Sequence, residues 1–454
     1  MISFNNVNRR AFLSSAVAVS LSPSLLRASL ANAKKISANE KINLACVGLG
    51  NRGGDIARAI GGSEHTNVVA VCDVDMGSRL TAQTLEQFPD ARRFQDFRKM
   101  FDAMGSQIDA VTIGTPDHSH FPIAMMAMAL GKHIYIEKPL ANTFQECELL
   151  MAAAKKHNVV AQMGNQGHSG ANYHQFKAWT EAGIIKDVTR VVAFMNSPRR
   201  WHGWKIESYP DGEPVPQTLD WDLWHAGLEM KPFSRLYHPA EWRSWFYYGN
   251  GALGDWGAHI LDTAHRFLDL GLPTKVEPER VDGHSEFIFP QATTLRFDFP
   301  ARGDKPPVEV FWYDGTENRP ETPPELEGRR LQTNGKLIYS KNLTFYGGTH
   351  HDPLRIIPES KRVELQPDLP RLSLDASDHH INFLLSVKGQ EECRSSLDVA
   401  GPLTQMFCLG KIAKQTAETL IFDPESKQIT NDKAANALLA GPPPRKEWEQ
   451  YYRL

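Results

Sequence analysis

The chain has 454 residues, a net charge of −3 and 41% hydrophobic residues. This length allows two domains with substantial cores, and the near-balanced charge argues against nucleic acid or an anionic membrane surface as a partner. The five cysteines include no CxxC pair, and Cys46 and Cys72 lie inside apolar runs. This usage indicates core packing rather than a disulfide or zinc framework.

The N-terminus has the pattern of an export signal. Arg9 and Arg10 precede a short apolar run at Ala16–Leu26, and Ala31-Asn32-Ala33 offers a small-residue cleavage site. The run is too short and too rich in serine to span a bilayer stably. We therefore expect residues 1–33 to be a twin-arginine leader and the protein to be periplasmic or otherwise exported. A disordered basic tail is the alternative.

From residue 40 to residue 165, strand and helix patterns alternate. The predicted strands are Ile42–Val47, Val68–Cys72, Ala110–Ile113, Ile134–Ile136 and Val159–Met163. One predicted helix follows Gly53 and runs through Ile60, and three others cover Ser78–Gln87, Phe121–Leu130 and Thr143–Lys156. In the last of these, Thr143 and Glu146 form a capping box. Buried strands that alternate with helices of about ten residues predict a doubly wound parallel sheet, an α/β fold.

The first strand runs into Gly48-Leu49-Gly50-Asn51-Arg52-Gly53, and the second ends at Asp73. A GxGxxG turn between a strand and a helix, with an acid about 20 residues on, is the full dinucleotide-binding context. Gly48 permits the tight turn, and Gly50 lets the backbone approach the pyrophosphate at the helix N-terminus. The Asp73 carboxylate can accept hydrogen bonds from ribose hydroxyls and would repel a 2′-phosphate. The predicted cofactor is therefore NAD.

The strand Ile134–Ile136 ends in Glu137-Lys138-Pro139. Open α/β sheets bind their ligands at the carboxyl ends of their strands, so Lys138 is the leading candidate for a reacting group. The alternative for a single lysine is a solvated side chain at a strand end.

Residues 166–454 form a predicted second α/β domain for substrate binding and oligomerisation. Leu295, Phe297 and Phe299 alternate along one strand, Val308, Val310 and Trp312 along the next, and Leu337–Phe345 follows an Asn334-Gly335 turn. This pattern predicts an open, mainly antiparallel sheet with one wet face, through which we expect a homo-oligomer. Helices within about 376–420 can pack back on the first domain.

Seven of the ten tryptophans lie between Trp201 and Trp256. One interpretation is a hydrophobic core for the second domain. The other is stacking of some of these rings on a sugar, with interleaved polar residues binding its hydroxyls. The stacking candidates are Trp201, Trp204, Trp221, Trp224, Trp242 and Trp245, and the polar ones are His202, Asp220, Asp222, His225 and Arg243.

Asp255 and His259 stand one helical turn apart in the segment Gly249–Asp262, if it is helical from about Asp255. A carboxylate at that spacing can orient an imidazole as a general base. The alternative is a helix-start aspartate beside a packed histidine. Asp262 and His265 continue the same face, so a divalent metal site is conceivable there. Such a site needs three or four converging ligands, which spacing alone does not show, and no metal is predicted.

Five motifs together resemble the glucose–fructose oxidoreductase/inositol dehydrogenase/MocA (Gfo/Idh/MocA) family. They are Gly-Leu-Gly-Asn-Arg-Gly, Thr-Pro-Asp-His-Ser-His from Thr115, Glu-Lys-Pro, Met-Gly-Asn-Gln-Gly-His from Met163, and Gly-Asp-x-x-x-His ending at His259. The twin arginine and the long Trp-rich second domain resemble the exported bacterial branch of the family. The resemblance implies a Rossmann domain, bound NAD(H) or NADP(H), and a carbohydrate or polyol substrate. It places Lys138 and the Asp255/His259 pair in the catalytic centre.

The motifs also nominate ligand contacts. Candidate cofactor contacts are Gly48, Leu49, Gly50, Asn51, Arg52, Gly53, Asp73, Thr115, Pro116, His118, His120, Glu137, Lys138 and Gln166. Candidate substrate contacts are His168, Trp201, Trp204, Arg243 and Trp245. The sequence leaves open which of His118, His120, Gln166 and His168 touch a ligand.

Three hypotheses follow. The preferred one is an NAD-dependent dehydrogenase that oxidises a secondary ring hydroxyl of a sugar or glycoside, such as that at C3. The second is a redox-neutral glycosidase or lyase that works through a transient 3-keto intermediate. Relatives of that kind depart from Glu-Lys-Pro, and Lys138 is retained here. The third is a non-catalytic saccharide-binding protein, and the retained Lys138, Asp255 and His259 speak against it.

Overall fold

A computed structural model describes residues 36–37, 39–197, 204–372 and 376–453. The predicted leader, residues 1–33, and Trp201 lie outside the described residues. Within those that are described, no helix combines the length and the apolar character that a membrane crossing needs.

The first domain is built on a six-stranded parallel sheet of order β3-β2-β1-β4-β5-β6. The strands are β1 (Ile42–Val47), β2 (Thr66–Cys72), β3 (Arg92–Phe94), β4 (Ala110–Ile113), β5 (His133–Ile136) and β6 (Ala161–Met163). The helices are α1 (Asn51–Gly61), α2 (Ala82–Gln87), α3 (Phe97–Met104), α4 (Asp117–Ala129) and α5 (Phe144–His157). The doubly wound parallel sheet is therefore confirmed.

The helix boundaries of this domain depart from prediction at two places. α4 begins at Asp117 rather than Phe121, because Pro116 is its N-cap and the acid in the first turn suits the helix dipole. α2 begins at Ala82 rather than Ser78. At α5 the predicted capping box of Thr143 and Glu146 is present. The start of α4 places the Thr115–His120 motif at the mouth of the sheet, not in a free loop.

The second domain contains a nine-stranded sheet of order β13-β12-β11-β7-β10-β9-β8-β14-β15. Its strands are β7 (Val188–Met195), β8 (Lys275–Asp282), β9 (Ala292–Phe299), β10 (Val308–Asp314), β11 (Asn334–Ser340), β12 (Thr344–Gly347), β13 (Arg355–Ile357), β14 (Leu420–Asp423) and β15 (Gln428–Ile429). Among these pairings only β7 with β10 is parallel, so the mainly antiparallel sheet is confirmed.

The remaining helices lie around this sheet and between the domains. They are α6 (Ala171–Glu181), α7 (Trp221–His225), α8 (Gly251–Ile260), α9 (Asp262–Phe267), α10 (Glu359–Leu365), α11 (His379–Val387), α12 (Leu397–Thr416) and α13 (Lys433–Ala437). Short 3₁₀ helices cover Gln166–Ser169, Glu241–Ser244, Pro324–Leu326, Gln366–Asp368 and Lys446–Tyr452.

The predicted turn at Asn334-Gly335 is wrong. Both residues belong to β11, and the predicted strand Leu337–Phe345 is instead split between β11 and β12. Gly335 is required for another reason: a Cβ there would lie 2.6 Å from the carbonyl oxygen of Gly347 on the neighbouring strand. The glycine allows the two neighbouring strands to approach closely. An Asn-Gly pair in a sequence is compatible with either such an approach or a turn, so the sequence alone does not tell the two apart.

The two domains share hydrophobic cores. One cluster joins Ile136 of β5 to Leu253 of α8 and Phe407 of α12. Phe383 and Leu384 of α11 pack into a second cluster with residues of β1 and α1. This shared packing holds the carboxyl end of β5 at a defined position against α8, which is where the candidate site lies.

Candidate active site

The turn after β1 is shaped for a dinucleotide. Gly48 has φ of +85°, and a Cβ on Gly53 would lie 2.4 Å from the carbonyl oxygen of Gly114, so glycine is needed at both positions. Gly50 is the N-cap of α1 and has no side chain to cap it. The first N–H groups of the helix are therefore available to an anion such as a pyrophosphate.

Asp73 braces this turn from the end of β2. Its carboxylate accepts hydrogen bonds from the backbone N–H of Leu49 at 2.8 Å and of Asp75 at 2.9 Å. Asp73 also lines the cleft above the turn. The carboxylate thus lies where the ribose hydroxyls of NAD are bound in this kind of turn.

The cleft encloses about 960 Å³ of space, counted together with the open solvent at its mouth. Its first-domain wall includes Gly48, Gly50, Asn51, Arg52, Gly53, Asp73, Thr115 and Pro116. The Thr115 hydroxyl is buried and has no hydrogen-bond partner within the described residues. The glycine turn of the cleft and this unpartnered hydroxyl fit a bound NAD.

Arg52 connects the cleft to the candidate catalytic residues. Its guanidinium donates to the Glu137 carboxylate at 2.9 Å, and Glu137 is largely buried. Glu137 directly precedes Lys138. The ion pair therefore fixes the end of β5 against the first turn of α1.

His120 has a similar positioning role. Its ring nitrogens lie 2.9 Å from the carbonyl oxygen of Thr115 and 3.0 Å from that of Pro139. Both nitrogens are occupied by backbone, so His120 holds the β4–α4 and β5–α5 loops together rather than binding the cofactor directly. Gln166 keeps a buried Oε1 without a partner within the described residues, and it stays a candidate contact.

Lys138 and Asp255 form the centre of the candidate site. The Lys138 ammonium donates to the Asp255 carboxylate at 2.6 Å and to its backbone carbonyl at 2.9 Å. Both side chains are about nine-tenths buried. Asp255 lies in the middle of α8, not at its start, and His259 follows one turn later. The two domains thus bring the three predicted catalytic residues together.

The Asp255 carboxylate is bound by Lys138, and no hydrogen bond joins it to His259 Nδ1. The His259 ring is buried, and its Nδ1 atom has no hydrogen-bond partner within the described residues. Burial, followed by the nearby Lys138 ammonium, holds the pKa of His259 well below its usual value. The ring is therefore neutral at neutral pH and able to accept a proton.

The tryptophan-rich segment packs onto the first domain and covers the cleft. The backbone N–H of Asp220 donates to the Val74 carbonyl at 2.9 Å, and the Gln95 amide donates to the carbonyl oxygens of Val74 and Thr218. We call residues 216–248 the Trp-rich cover. It contributes Leu223, Trp224, Ala226, His238, Pro239, Trp242 and Arg243 to the lining of the cleft.

This placement contradicts the predicted substrate contact of Trp245, whereas the predicted contacts of Trp204 and Arg243 stay predictions. Trp245 is fully buried, and its indole N–H donates to the Leu236 carbonyl at 2.7 Å, so it cannot stack on a sugar. Trp204 packs against the same aromatic cluster. Arg243 lies over the Trp242 ring at 4.1 Å and lines the dinucleotide cleft. The core interpretation therefore holds for most of the segment.

His168 is also corrected as a substrate contact. It is fully buried, with Nδ1 3.2 Å from the Asp262 carboxylate and Nε2 3.0 Å from the Arg266 guanidinium. Asp262 and His265 do not converge on a metal, because His265 bonds the Gly271 carbonyl. No group of three or more metal-ligating side chains with suitable geometry occurs in the part of the chain that the structure describes.

His118 faces the Trp-rich cover instead of the cofactor cleft. Its Nε2 lies 2.7 Å from the Trp224 carbonyl oxygen, and its ring packs on Trp224 and Tyr248. Burial lowers its pKa to about 3. The predicted cofactor contact is thus wrong, and His118 instead positions Trp224, which lines the cleft.

We expect this buried histidine to make stability depend on pH. In the unfolded chain its pKa is about 6.5, so between pH 6.5 and about 3 the unfolded state binds a proton that the folded state excludes. The free energy of unfolding should therefore fall as the pH falls, by about 2 kcal/mol from this residue between pH 7 and pH 5. Urea unfolding at both pH values should show a smaller difference for His118→Gln, which keeps an N–H donor to Trp224. An equal difference in the variant would contradict this assignment.

Two family models match the chain. One, described as oxidoreductase family, NAD-binding Rossmann fold, covers residues 42–165, and the other, described as oxidoreductase family, C-terminal alpha/beta domain, covers residues 170–293. Together they span more than half of the 454 residues.

Curated relatives include inositol 2-dehydrogenase 1 of Saccharopolyspora erythraea, 32% identical over 36% of this chain and 48% of the relative. Levoglucosan dehydrogenase of Pseudarthrobacter phenanthrenivorans is 29% identical over 42% of this chain and 40% of the relative. 2,7-Anhydro-N-acetylneuraminate hydratase of Mediterraneibacter gnavus is 24% identical over 43% and 46%. The chain spans about half the length of these relatives.

Solved structures share the fold. The WlbA dehydrogenase from Bordetella pertussis, crystallised with NADH and UDP-GlcNAcA, has a TM-score of 0.57 at 15% identity, covering 86% of this chain and 99% of that one. The aldose–aldose oxidoreductase from Caulobacter crescentus, complexed with glycerol, has a TM-score of 0.53 at 16% identity, covering 84% and 100%. These structures show the shared fold, and the two family matches show that the chain belongs to the Gfo/Idh/MocA oxidoreductase family, with its NAD-binding Rossmann domain and its C-terminal α/β domain.

Proposed function

We propose that the protein is an NAD-dependent oxidoreductase that acts on a secondary hydroxyl of a sugar or glycoside. The observation that carries this proposal is the meeting of Lys138, Asp255 and His259 where the two domains join. Arg52 lines the dinucleotide cleft and also bonds the residue before Lys138. The candidate acid–base groups are thereby tied to the cofactor site.

Each residue has a role that its surroundings support. Bound NAD supplies a hydride acceptor. His259, which is neutral, takes the proton of the substrate hydroxyl. The Lys138 ammonium stabilises the negative charge that develops on that oxygen, and Asp255 holds the ammonium in place at 2.6 Å. Because this centre is largely buried, its charges act with little screening by water.

The proposed substrate class rests on the substrates in the names of two relatives and on the acid–base residues Lys138, Asp255 and His259. Two relatives are named as dehydrogenases of inositol and levoglucosan, which are polyhydroxylated rings. We take the C3 hydroxyl of a glycoside as the first candidate. The test is NADH absorbance on a panel of glycosides, aldoses and inositols, followed by product analysis. Absence of NADH formation across the panel would count against the dehydrogenase.

A redox-neutral reaction is the second candidate, because one relative is named as a hydratase. Oxidation at C3 acidifies the hydrogen on C2 and so allows elimination at the neighbouring bond. Product analysis separates the two proposals. A cleaved or hydrated product without net NADH or ketone favours the second, and an accumulating ketone favours the first.

We further propose that the protein retains its NAD. The Trp-rich cover lines one side of the cleft, so we expect it to slow release of the cofactor. The purified protein should carry NAD(H) through gel filtration, measured by absorbance and by enzymatic assay after denaturation. Cofactor-free protein would argue against retention.

Gln95→Ala provides a graded test of this retention. The variant removes the amide that bonds both Val74 and Thr218. It should release NAD about fivefold faster, as expected for loss of about 1 kcal/mol of hydrogen bonding. Gln87→Ala is the matched control, since the Gln87 amide donates to the Arg58 carbonyl of α1 and Gln87 does not line the cleft. Equal release rates in both variants would contradict the role of the cover.

Two predictions from the sequence belong to the same proposal. We propose export through the twin-arginine leader, tested by fusing residues 1–33 to a reporter, with Arg9 and Arg10 replaced by lysine as control.

We also propose a homo-oligomer through the second sheet, where half-buried Tyr313, Tyr339 and Tyr346 border a small hydrophobic cluster. Light scattering after gel filtration measures its mass.

A further inference from the structure

A second imidazole lies directly on the candidate base. The rings of His350 and His259 are stacked, with centroids 3.9 Å apart and an interplanar angle of 19°. The backbone N–H of His350 donates to the His259 carbonyl at 3.0 Å, and the Thr349 hydroxyl lies 2.7 Å from His350 Nδ1. Trp256 packs edge-on against His350. The sequence pattern had not singled out this residue.

The loop that carries His350 is built to hold it there. His350 has φ of +57°, a left-handed conformation that costs a non-glycine residue on the order of 1 kcal/mol. A Cβ on Gly167 would lie 2.7 Å from the His350 Cα, so the loop after β12 can approach only because Gly167 has no side chain. Strain of this kind persists only where the surroundings enforce it.

The stack does what Asp255 was predicted to do. The Asp255 carboxylate is bound by Lys138, and His259 Nδ1 has no hydrogen-bond partner among the described residues. The plane of the candidate base is set by ring contacts, of which the His350 stack is the shortest.

We propose that His350 is the positioning residue of His259: its ring holds the plane of the candidate base, and its capacity for positive charge opposes protonation of that base. The proposal deepens the proposed function and rests on it. Protonated His350 would repel a proton on His259, so the two rings titrate as a coupled pair.

Several other charges face this pair. Around His259 they are Lys138, Asp255 and Arg52, and around His350 they are Lys138, His351, Asp262 and Asp352. Burial and the Lys138 ammonium lower the pKa of both rings, and each carboxylate acts in the opposite direction. Removing the His350 charge should therefore raise the pKa of His259, because one repulsive neighbour is lost and the others remain.

Two substitutions separate the stack from the charge. His350→Phe keeps a flat ring and removes the charge, so kcat should stay within about threefold of wild type while the acid limb of kcat/KM moves to higher pH. His350→Ala removes both, so kcat should fall on the order of ten- to a hundredfold through misorientation. His284→Ala, at an exposed histidine that contacts the Gln415 carbonyl and is not among the charges facing the pair, should leave both quantities unchanged.

A second readout does not depend on turnover. Nuclear magnetic resonance of histidine-labelled, NAD-loaded protein gives the titration of the His259 ring, assigned by the loss of its signal in His259→Gln. His350→Phe should shift that titration upward, whether or not any glycoside is oxidised. An unshifted titration, or equal losses of kcat in the Phe and Ala variants, would overturn the positioning role. A shifted titration with no turnover on any substrate would instead refute only the dehydrogenase.

Discussion

Lys138→Met is expected to lower kcat/KM by on the order of a thousandfold, because it removes the cation that stabilises the developing oxyanion. The size of the loss follows from the site. The Lys138 ammonium and the Asp255 carboxylate are both about nine-tenths buried, so water cannot replace the missing charge. NADH formation on the best substrate of the panel, followed at saturating concentration, measures the effect.

The same substitution should also destabilise the fold. It leaves the Asp255 carboxylate buried without its ammonium partner, at a cost of about 3 kcal/mol. The double variant Lys138→Met/Asp255→Asn removes the stranded charge and should recover most of the stability, but none of the activity. Urea unfolding of the three proteins therefore separates the structural role of the ion pair from its catalytic role.

Lys361→Met is the matched control. Lys361 also donates to a carboxylate, that of Glu364, at 2.7 Å, but both side chains are exposed. Such a pair contributes less than about 1 kcal/mol, so stability and turnover should stay near wild type. Near-normal turnover of Lys138→Met would eliminate this lysine as a catalytic group, whatever its stability.

The first domain could be predicted because its signals are local. The β4 and β5 segments are buried along their whole length, so their sequences are mainly apolar and β-branched or aromatic. Gly48 and Gly53 in the turn after β1 are required by neighbouring backbone atoms, and that requirement is visible as spacing. Strands, helices and turn are therefore encoded within a few residues of where they form.

The contacts that complete the site are not local. Lys138 and Asp255 lie 117 residues apart, and nothing in the Asp255-to-His259 spacing shows that the carboxylate is taken by a lysine from the other domain. The Trp-rich cover docks through the backbone of Val74 and Asp220, and hydrogen bonds of the backbone leave no trace in residue type. His350 itself adopts a left-handed backbone conformation although it is not a glycine, and composition does not indicate such a conformation.

Gly50→Ala is expected to weaken NAD binding on the order of a hundredfold while leaving the fold intact. Gly50 has φ of −97° and ψ of 156°, which alanine adopts without strain. The nearest heavy atom to the added methyl would be the Leu80 Cβ at 3.1 Å, and Leu80 is exposed enough to yield. The methyl group would instead occupy the space through which the pyrophosphate approaches the first turn of α1.

Gly53→Ala should behave differently, and the contrast is the test. Its Cβ would lie 2.4 Å from the Gly114 carbonyl oxygen and 2.6 Å from that of Gly48, so the backbone itself must move. Gly53→Ala should therefore lose thermal stability and cofactor together, whereas Gly50→Ala should lose only the cofactor. The NAD content of the purified proteins, calorimetric titration with NAD after its removal, and the thermal midpoint of the NAD-free forms measure the two effects. Retention of wild-type NAD affinity in Gly50→Ala would mean that no phosphate approaches this backbone, and the assignment of the cleft to a dinucleotide would fail with it.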